Sequence, residues 1–388
     1  MSKQRIQLSD HFTYPRLLRF VLPCIGTMLF TSIYGIVDGL CVSNFVGKTA
    51  FAAVNLIMPL PMLLGTIGFM LGTGGSAIVG ITLGEGDQKK ADRYFTLFLL
   101  AALVSVSVLA VLGIVFLRPI AVLLGAKGEL LDYAVRYGRI LMVSLPTFAL
   151  QNMFQSFFVT AEKPHLGFWF TVGAGCTNMV LDVLMVGIWG WGVEGAAIAT
   201  FISQLVGGVL PVFYFIDRSN SSRLHLCKTS FYSKVLRDAC INGSSELMTN
   251  LSMSLVNILY QLLRLAGENG VAAYGVIMYA AFLFVAVFVG YAVGSAPIVS
   301  FHYGARNHAE VHNLYRKSLR LIAVVAVTLT LASMFIIPCV ARVFVGYDAE
   351  LLALTSRAFR LYALSFLIMG FNVYASSFFT ALGDGVTS

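Results

Sequence analysis

The chain has 388 residues, of which 58% are hydrophobic and only 11% charged. Soluble globular chains average roughly 45–50% apolar and about 25% charged. These figures, with 30 Phe, 36 Gly and a mean hydropathy of +0.84, exclude a soluble enzyme, a nucleic-acid binder and a disordered protein, and describe an all-α integral membrane protein.

In chain order, a polar stretch of about fifteen residues comes first. The apolar run after it is too long for the h-region of a secretory signal and contains Asp38, so residues 1–16 are expected to stay uncleaved in the cytoplasm. A helix crossing the hydrocarbon core needs about 20 apolar residues. Runs of that kind occur at about 17–42, 51–83, 95–117, 134–160, 166–188 and 193–216. After the polar segment Asp217 to Asp238 they resume at about 240–264, 271–301, 319–340 and 357–382. The pattern predicts ten spans, divided into a first lobe (1–216), a cytoplasmic linker (217–238) and a second lobe (239–388).

With the N-terminus inside, 17 of the Lys and Arg residues fall on cytoplasmic segments and 9 on the other side. That is the asymmetry the positive-inside rule requires, and it accounts for the formal charge of +8 without an acidic partner. Cys24, Cys41, Cys176, Cys227, Cys240 and Cys339 stand singly, mostly within apolar runs. They read as small hydrophobes, with no disulfide framework.

The chain repeats itself at an offset of 220 between about 47 and 164. Ala52-Ala53 and Ile57-Met58 fall on Ala272-Ala273 and Ile277-Met278. Gly74, Ile78, Val79 and Gly84 fall on Gly294, Ile298, Val299 and Gly304. Asn152, Ser156, Phe158, Thr160 and Ala161 fall on Asn372, Ser376, Phe378, Thr380 and Ala381. Both copies begin on the same side, so the repeat is parallel, about an axis along the membrane normal. The expected fold is two six-helix lobes, with the second truncated to four helices in this chain. About 50 residues, two helices, are expected to be missing, and the chain is read as a fragment.

Several segments resemble the multidrug and toxic compound extrusion (MATE) transporters. "NMVLDVLMVGIWGWGVEGAAIAT" (Asn178 to Thr200) is similar to the family's fifth and sixth helices. "GTGGSAIVGITLGEGDQKKA" (Gly72 to Ala91), "GSAPIVSFHYGARNHAEV" (Gly294 to Val311) and "SSFFTALGDG" (Ser376 to Gly385) also match, and "YGIVDGLCVSNFVG" (Tyr34 to Gly47) resembles the first helix of the prokaryotic branch. The resemblance implies twelve helices around a central cavity and export of organic solutes against a H⁺ or Na⁺ gradient. The absent eleventh and twelfth helices are the departure from the pattern.

An ionisable group at mid-membrane costs roughly 2.5–3.5 kcal/mol on insertion scales, and only Asp38, Asp182 and Glu246 sit well inside spans. Each is a functional candidate; the alternative is a structural carboxyl bonded between helices. Asp182 lies four residues after Asn178 and Asp38 four after Tyr34, so each pair shares a helix face. If those faces meet, two carboxylates sit among amide and phenol groups, and either a proton or a dehydrated Na⁺ suits such a cluster. The resemblance assigns Asp38, Asp182 and Asn178 to the cation site of the first lobe, with Asn152 and Thr200 as further members of the network.

In the seventh helix, Glu246 has Asn250 at i+4 and Asn257 farther along, a polar stripe that could meet a cationic substrate. Some family members build a second cation site from acids of the seventh and tenth helices. Here the tenth span has no acid between Arg360 and Leu382, so a full second site is not expected. Pro23, inside the first span, has no N–H to give and is a candidate hinge or an ordinary kink.

Two motifs are set aside. "VGKT" at Val46 to Thr49 lacks the Gly that a phosphate loop needs at position 42, which is Val. His308 and His312 have zinc-ligand spacing without further ligands, and no nucleophile set stands within the spans. The expectation is a non-enzymatic antiporter of the cell membrane without a bound cofactor. It takes cationic or amphiphilic organic substrates, contacts lipid but no nucleic acid, and acts as a monomer. The alternative is a flippase of lipid-linked intermediates from the same superfamily, ranked lower because the mid-span charges are acidic.

Overall fold

The computed structural model describes residues 6–46, 48–263, 267–345 and 349–388, which hold helices and connections and no strand. The helices are α1 (Tyr14–Phe45), α2 (Lys48–Ile57), α3 (Pro59–Gly84), α4 (Gln88–Leu123), α5 (Glu129–Thr160) and α6 (Pro164–Asp182), which runs into a π-helical turn (Val183–Ile188). They continue as α7 (Gly192–Gly208), α8 (Leu210–Ile216), α9 (Ser233–Asn242), α10 (Ser244–Leu263), α11 (Gly267–Gly304), α12 (His308–Val345), α13 (Ala349–Ala363) and α14 (Phe366–Ala381).

Several expected spans are broken, with local causes. Pro59 and Pro61 start a new helix at α3 inside the run 51–83, because proline cannot donate to the preceding turn. Pro211 opens α8 in the same way within the run 193–216. Pro23, by contrast, stays inside an uninterrupted α1. Its carbonyl accepts the Thr27 hydroxyl at 2.9 Å.

Among the described residues, seven helical runs are long and apolar enough to cross a membrane, or eight when α13 and α14, bent by 48° at their junction, count as one. Ten were expected. The shortfall falls on α5 and α10 because of their polar residues. α5 carries Glu129, Asp132, Arg136 and Arg139 at one end and Gln151, Asn152 and Gln155 towards the other. α10 carries Glu246, Thr249, Asn250 and Asn257.

The repeat is plain in the helix bounds. α4 starts at Gln88 and α12 at His308, while α3 ends at Gly84 and α11 at Gly304, all at the offset of 220. Even the caps recur: the Asp87 carboxylate accepts Lys90 N–H at 3.0 Å, and the Asn307 side-chain oxygen accepts Glu310 N–H at 3.2 Å. The expected second lobe of only four helices is corrected. Among the described residues, 233–388 hold six helical segments, α9 to α14, rather than four unbroken helices, because the seventh span divides at Gly243 and the last at Leu364-Ser365.

The two copies meet at one end. There a single apolar core draws on both, from Leu8, Phe12 and Leu17 through Leu83 and Phe158 to Ile298, Phe301 and Leu314. Towards the other end the described core divides. One cluster joins Ala53, Ile57, Tyr137 and Val193 of the first copy, and a separate one joins Ala273, Val276 and Leu351 of the second. The joined end is close-packed through glycine. A Cβ on Gly84 would strike the Phe301 carbonyl, one on Gly304 the Ile81 carbonyl, and one on Gly243 the Met70 carbonyl.

Two extended segments lie across the joined end. The strap before α1 places Leu8 N–H on Glu162 at 2.9 Å and Phe12 N–H on Glu310 at 2.9 Å. The connector between α8 and α9 sends Arg223 to Glu162, with the guanidinium 4.8 Å over the Phe301 ring.

Candidate functional site

α1 presents Tyr34 and Asp38 one turn apart, and α6 presents Asn178 and Asp182 one turn apart, as the i,i+4 spacing requires. The two helices can approach because Gly175 has no side chain: a Cβ there would meet the Phe30 ring and lie 3.1 Å from the Tyr34 ring. Asp38 and Asp182 face one another across this seam, and both are buried, Asp182 fully. α5 closes the site from a third side. Its fully buried Tyr137 lies within electrostatic reach of both carboxyls, and Gln151 interacts with the Tyr34 hydroxyl. α7 approaches α5 through Gly207, where a Cβ would be 2.8 Å from Gln151.

On α1, α5, α6 and α7 many buried polar atoms are short of protein partners. Asp38 Oδ1, both Asp182 carboxylate oxygens, both polar atoms of the Asn178 side chain, Thr200 Oγ1, Asn152 Nδ2, Gln204 Oε1 and the Tyr137 hydroxyl are buried without a hydrogen bond. A buried unpaired polar atom costs about 1–3 kcal/mol, more when charged. So many on α1, α5, α6 and α7 are therefore not a packing solution. Their chemistry, mostly oxygen with two carboxylates, suits a proton or a hard monovalent cation. Among the described residues no group of three or more His, Cys, Asp and Glu could hold a metal ion.

Asp182 is also the last residue before the π-helical turn, where Trp189 N–H bonds Leu184 C=O at 2.8 Å and Trp191 N–H bonds Met185 C=O at 2.9 Å. π-helical turns occur frequently at functional sites. The fold thus brings together Asp38, Asp182, Asn178 and Tyr34, four of the residues expected from the sequence. Thr200 and Asn152 lie on the adjoining α7 and α5, and Tyr137, Gln151, Gln204 and the π turn were not among the residues expected from the sequence. Two amides side by side in an apolar run, Gln151-Asn152, were the available signal for one of these.

Glu246 lies apart, in the first turn of α10 and half-buried, just beyond the break at Gly243. The side chains of Asn250 and Asn257 lie outside the described residues, so the polar stripe is not traced here. Pro23 is buried where α1 crosses α11, beside the close approach of Gly290 to Cys24 and Ile25.

A multi-pass bundle with a parallel repeat, joined at one end and divided at the other, and with buried acids inside one copy, defines a secondary transporter. The MatE family matches residues 23–184 and 245–388; the chain belongs to that family of multidrug and toxic compound extrusion transporters. It is thus an ion-coupled transport protein for small organic solutes and not an enzyme. Among its relatives is the multidrug export protein MepA of Staphylococcus saprophyticus, 20% identical over 95% of this chain and 82% of that protein. The MepA of Staphylococcus haemolyticus is 21% identical over 99% of this chain and 84% of its own length. The outward-facing conformation of a multidrug resistance MATE transporter of the MOP superfamily superposes with a TM-score of 0.92 at 22% identity, covering all of this chain and 86% of that one. A MATE in the bent conformation gives 0.85 at 23% identity, over 95% and 82%.

Proposed function

We propose that this chain exports cationic or amphiphilic organic solutes in exchange for H⁺ or Na⁺ bound between Asp38 and Asp182, with Asn178, Asn152, Thr200 and Tyr34 around them. The reading rests on one observation: two buried carboxyls face each other and, apart from one another, find no hydrogen-bond partner for Asp38 Oδ1 or for either Asp182 oxygen. Two adjacent negative charges in a desolvated site repel each other and lack water, so binding one positive ion is favourable. When the ion leaves, repulsion returns and α1 is pushed from α6. Because α1 also packs on α11 around Pro23, a bend there passes the change to the second lobe. Pro23 is the hinge in this scheme, and Glu246 meets the cationic substrate. The N-terminal strap and the joined end face the cytoplasm, so the divided end is the exit. Each charge moved down a potential of 100 mV supplies about 2.3 kcal/mol.

Proteoliposomes with an imposed pH or Na⁺ gradient and a panel of cationic dyes test this. Asp38→Asn and Asp182→Asn each abolish gradient-driven efflux while the purified protein keeps its thermal transition, and Glu246→Gln alters the dye profile. Wild-type efflux in both aspartate variants removes the coupling assignment.

A further inference from the structure

We infer that the groove between the N-terminal turns of α4 and the connector following α8 is a binding site for the phosphate of an acidic phospholipid headgroup. The groove encloses about 480 Å³ and is lined by Lys89, Arg93, Arg218 and Lys228, with Asp92 and His225. All four cations are exposed, and among the described residues none of them makes a contact ion pair, Arg218 being attracted to Asp92 only at longer range. The one lining carboxylate is already engaged: Asp92 Oδ1 accepts His225 N–H at 3.0 Å and the Gln88 amide at 3.2 Å. Asp92 thereby builds the wall of the groove and leaves a net positive interior.

The groove is held in shape rather than draped. Cys227 N–H donates to Thr96 Oγ1 at 3.1 Å, the Thr229 hydroxyl donates to Arg93 C=O at 2.9 Å, and the Gln88 amide reaches Arg223 C=O. These bonds pin the connector along the start of α4, so Arg218 and Lys228 stay beside Lys89 and Arg93. The Nε2 atom of His225 is buried without a partner, so the lining also holds a polar nitrogen that no protein group engages.

Depth argues for a lipid rather than an ion from solution. On α8, Phe213 (64% exposed) and Ile216 (54%) turn outward and are followed at once by Asp217 and Arg218. On α4, outward-facing Leu100 comes two turns after Arg93. Phe231, three residues beyond Lys228, is 75% exposed. The cations thus stand where the apolar band ends, with an exposed aromatic beside them, which is headgroup depth. Basic pockets between spans on the cytoplasmic side suit anionic headgroups, and each Lys or Arg near the surface contributes about fivefold in affinity. The inner leaflet follows from the orientation proposed above, but the site itself does not depend on transport.

The full chain in mixed nanodiscs of phosphatidylglycerol and phosphatidylcholine, read by native mass spectrometry, tests this. The wild type retains phosphatidylglycerol selectively. Arg218→Gln/Lys228→Gln loses that selectivity by about 25-fold, while Arg218→Lys/Lys228→Arg keeps it. A second arm adds inorganic phosphate to detergent-purified protein without lipid. Thermal stabilisation by phosphate at millimolar concentration, with no lipid selectivity, would mean that the groove takes free phosphate and overturns the lipid assignment. Equal retention by wild type and the Gln variant, with both folded by size-exclusion chromatography, overturns the site.

Discussion

Arg306 and Gly86 occupy equivalent places in the repeat, and both backbones are left-handed, at φ 58° and 88°. Glycine adopts that conformation freely, whereas for another residue it costs roughly 1–2 kcal/mol. Arg306 is exposed, and its N–H simply closes a turn onto Tyr303 C=O at 3.0 Å. Arg306→Gly is therefore expected to stabilise the protein by a few tenths to about 1 kcal/mol, after glycine's greater freedom in the unfolded chain is subtracted. Gly86→Ala should cost about as much; opposite shifts in detergent melting temperature check the pair. The same scale shows what could be read in advance. Asp38 and Asp182 stand out in any apolar run, because an acid there is costly and rare. Tyr137 and Gln204 do not, because phenols and amides are ordinary in spans and acquire meaning only through the helix opposite.

Among the helices, glycine contacts decide how the two copies meet. Gly84 and Gly304 are repeat partners, and each rests on the other copy's backbone, at Phe301 and Ile81. A carbonyl cannot retreat as a flexible side chain can, so Gly304→Val must part α3 from α11. Overpacking typically costs 1–3 kcal/mol. Set against a closed end that opens in transport, that is roughly a tenfold or greater shift towards the open form. Spin labels on Glu85→Cys and Ala305→Cys, exposed and equivalent, should report a longer distance in the Gly304→Val protein. An unchanged distance and wild-type efflux would free this contact of any gating role. Helix bounds were only partly visible from hydropathy. The run 51–83 holds its own breakers, Pro59 and Pro61, yet the period gives no warning of the division at Gly243 or of the π turn after Asp182. Gly243 owes its place to the Met70 backbone of α3, which leaves no room for a Cβ there, and that neighbour is not written in the local sequence.

For the whole molecule, closure of the joined end has two components, glycine packing and a pair of carboxylates holding the strap and connector. Glu162 side chain, 7% exposed, accepts from Leu8 N–H and from Arg223, whose guanidinium lies over Phe301 of the second copy. Glu310, 8% exposed, accepts Phe12 N–H, the His11 ring at 2.6 Å and the Asn313 amide at 2.9 Å, while Lys317 Nζ donates to Phe12 C=O at 2.6 Å. The strap thus joins an α5–α6 turn of the first copy to the start of α12 in the second. A hydrogen bond to a charged group contributes about 1.5–3 kcal/mol, so these bonds are large enough to decide whether this end is shut. Because a two-state equilibrium moves only by the difference in free energy between its states, Glu162→Ala with Glu310→Ala should raise the open fraction at this end by tenfold or more. The same spin-label pair would lengthen, the strap Ile6 to Thr13 would become sensitive to protease, and efflux would slow because closure on this side must precede release on the other. Were the double variant to keep its short label distance while the strap was cleaved, the strap would be a passive cover, and glycine packing alone would hold the end closed.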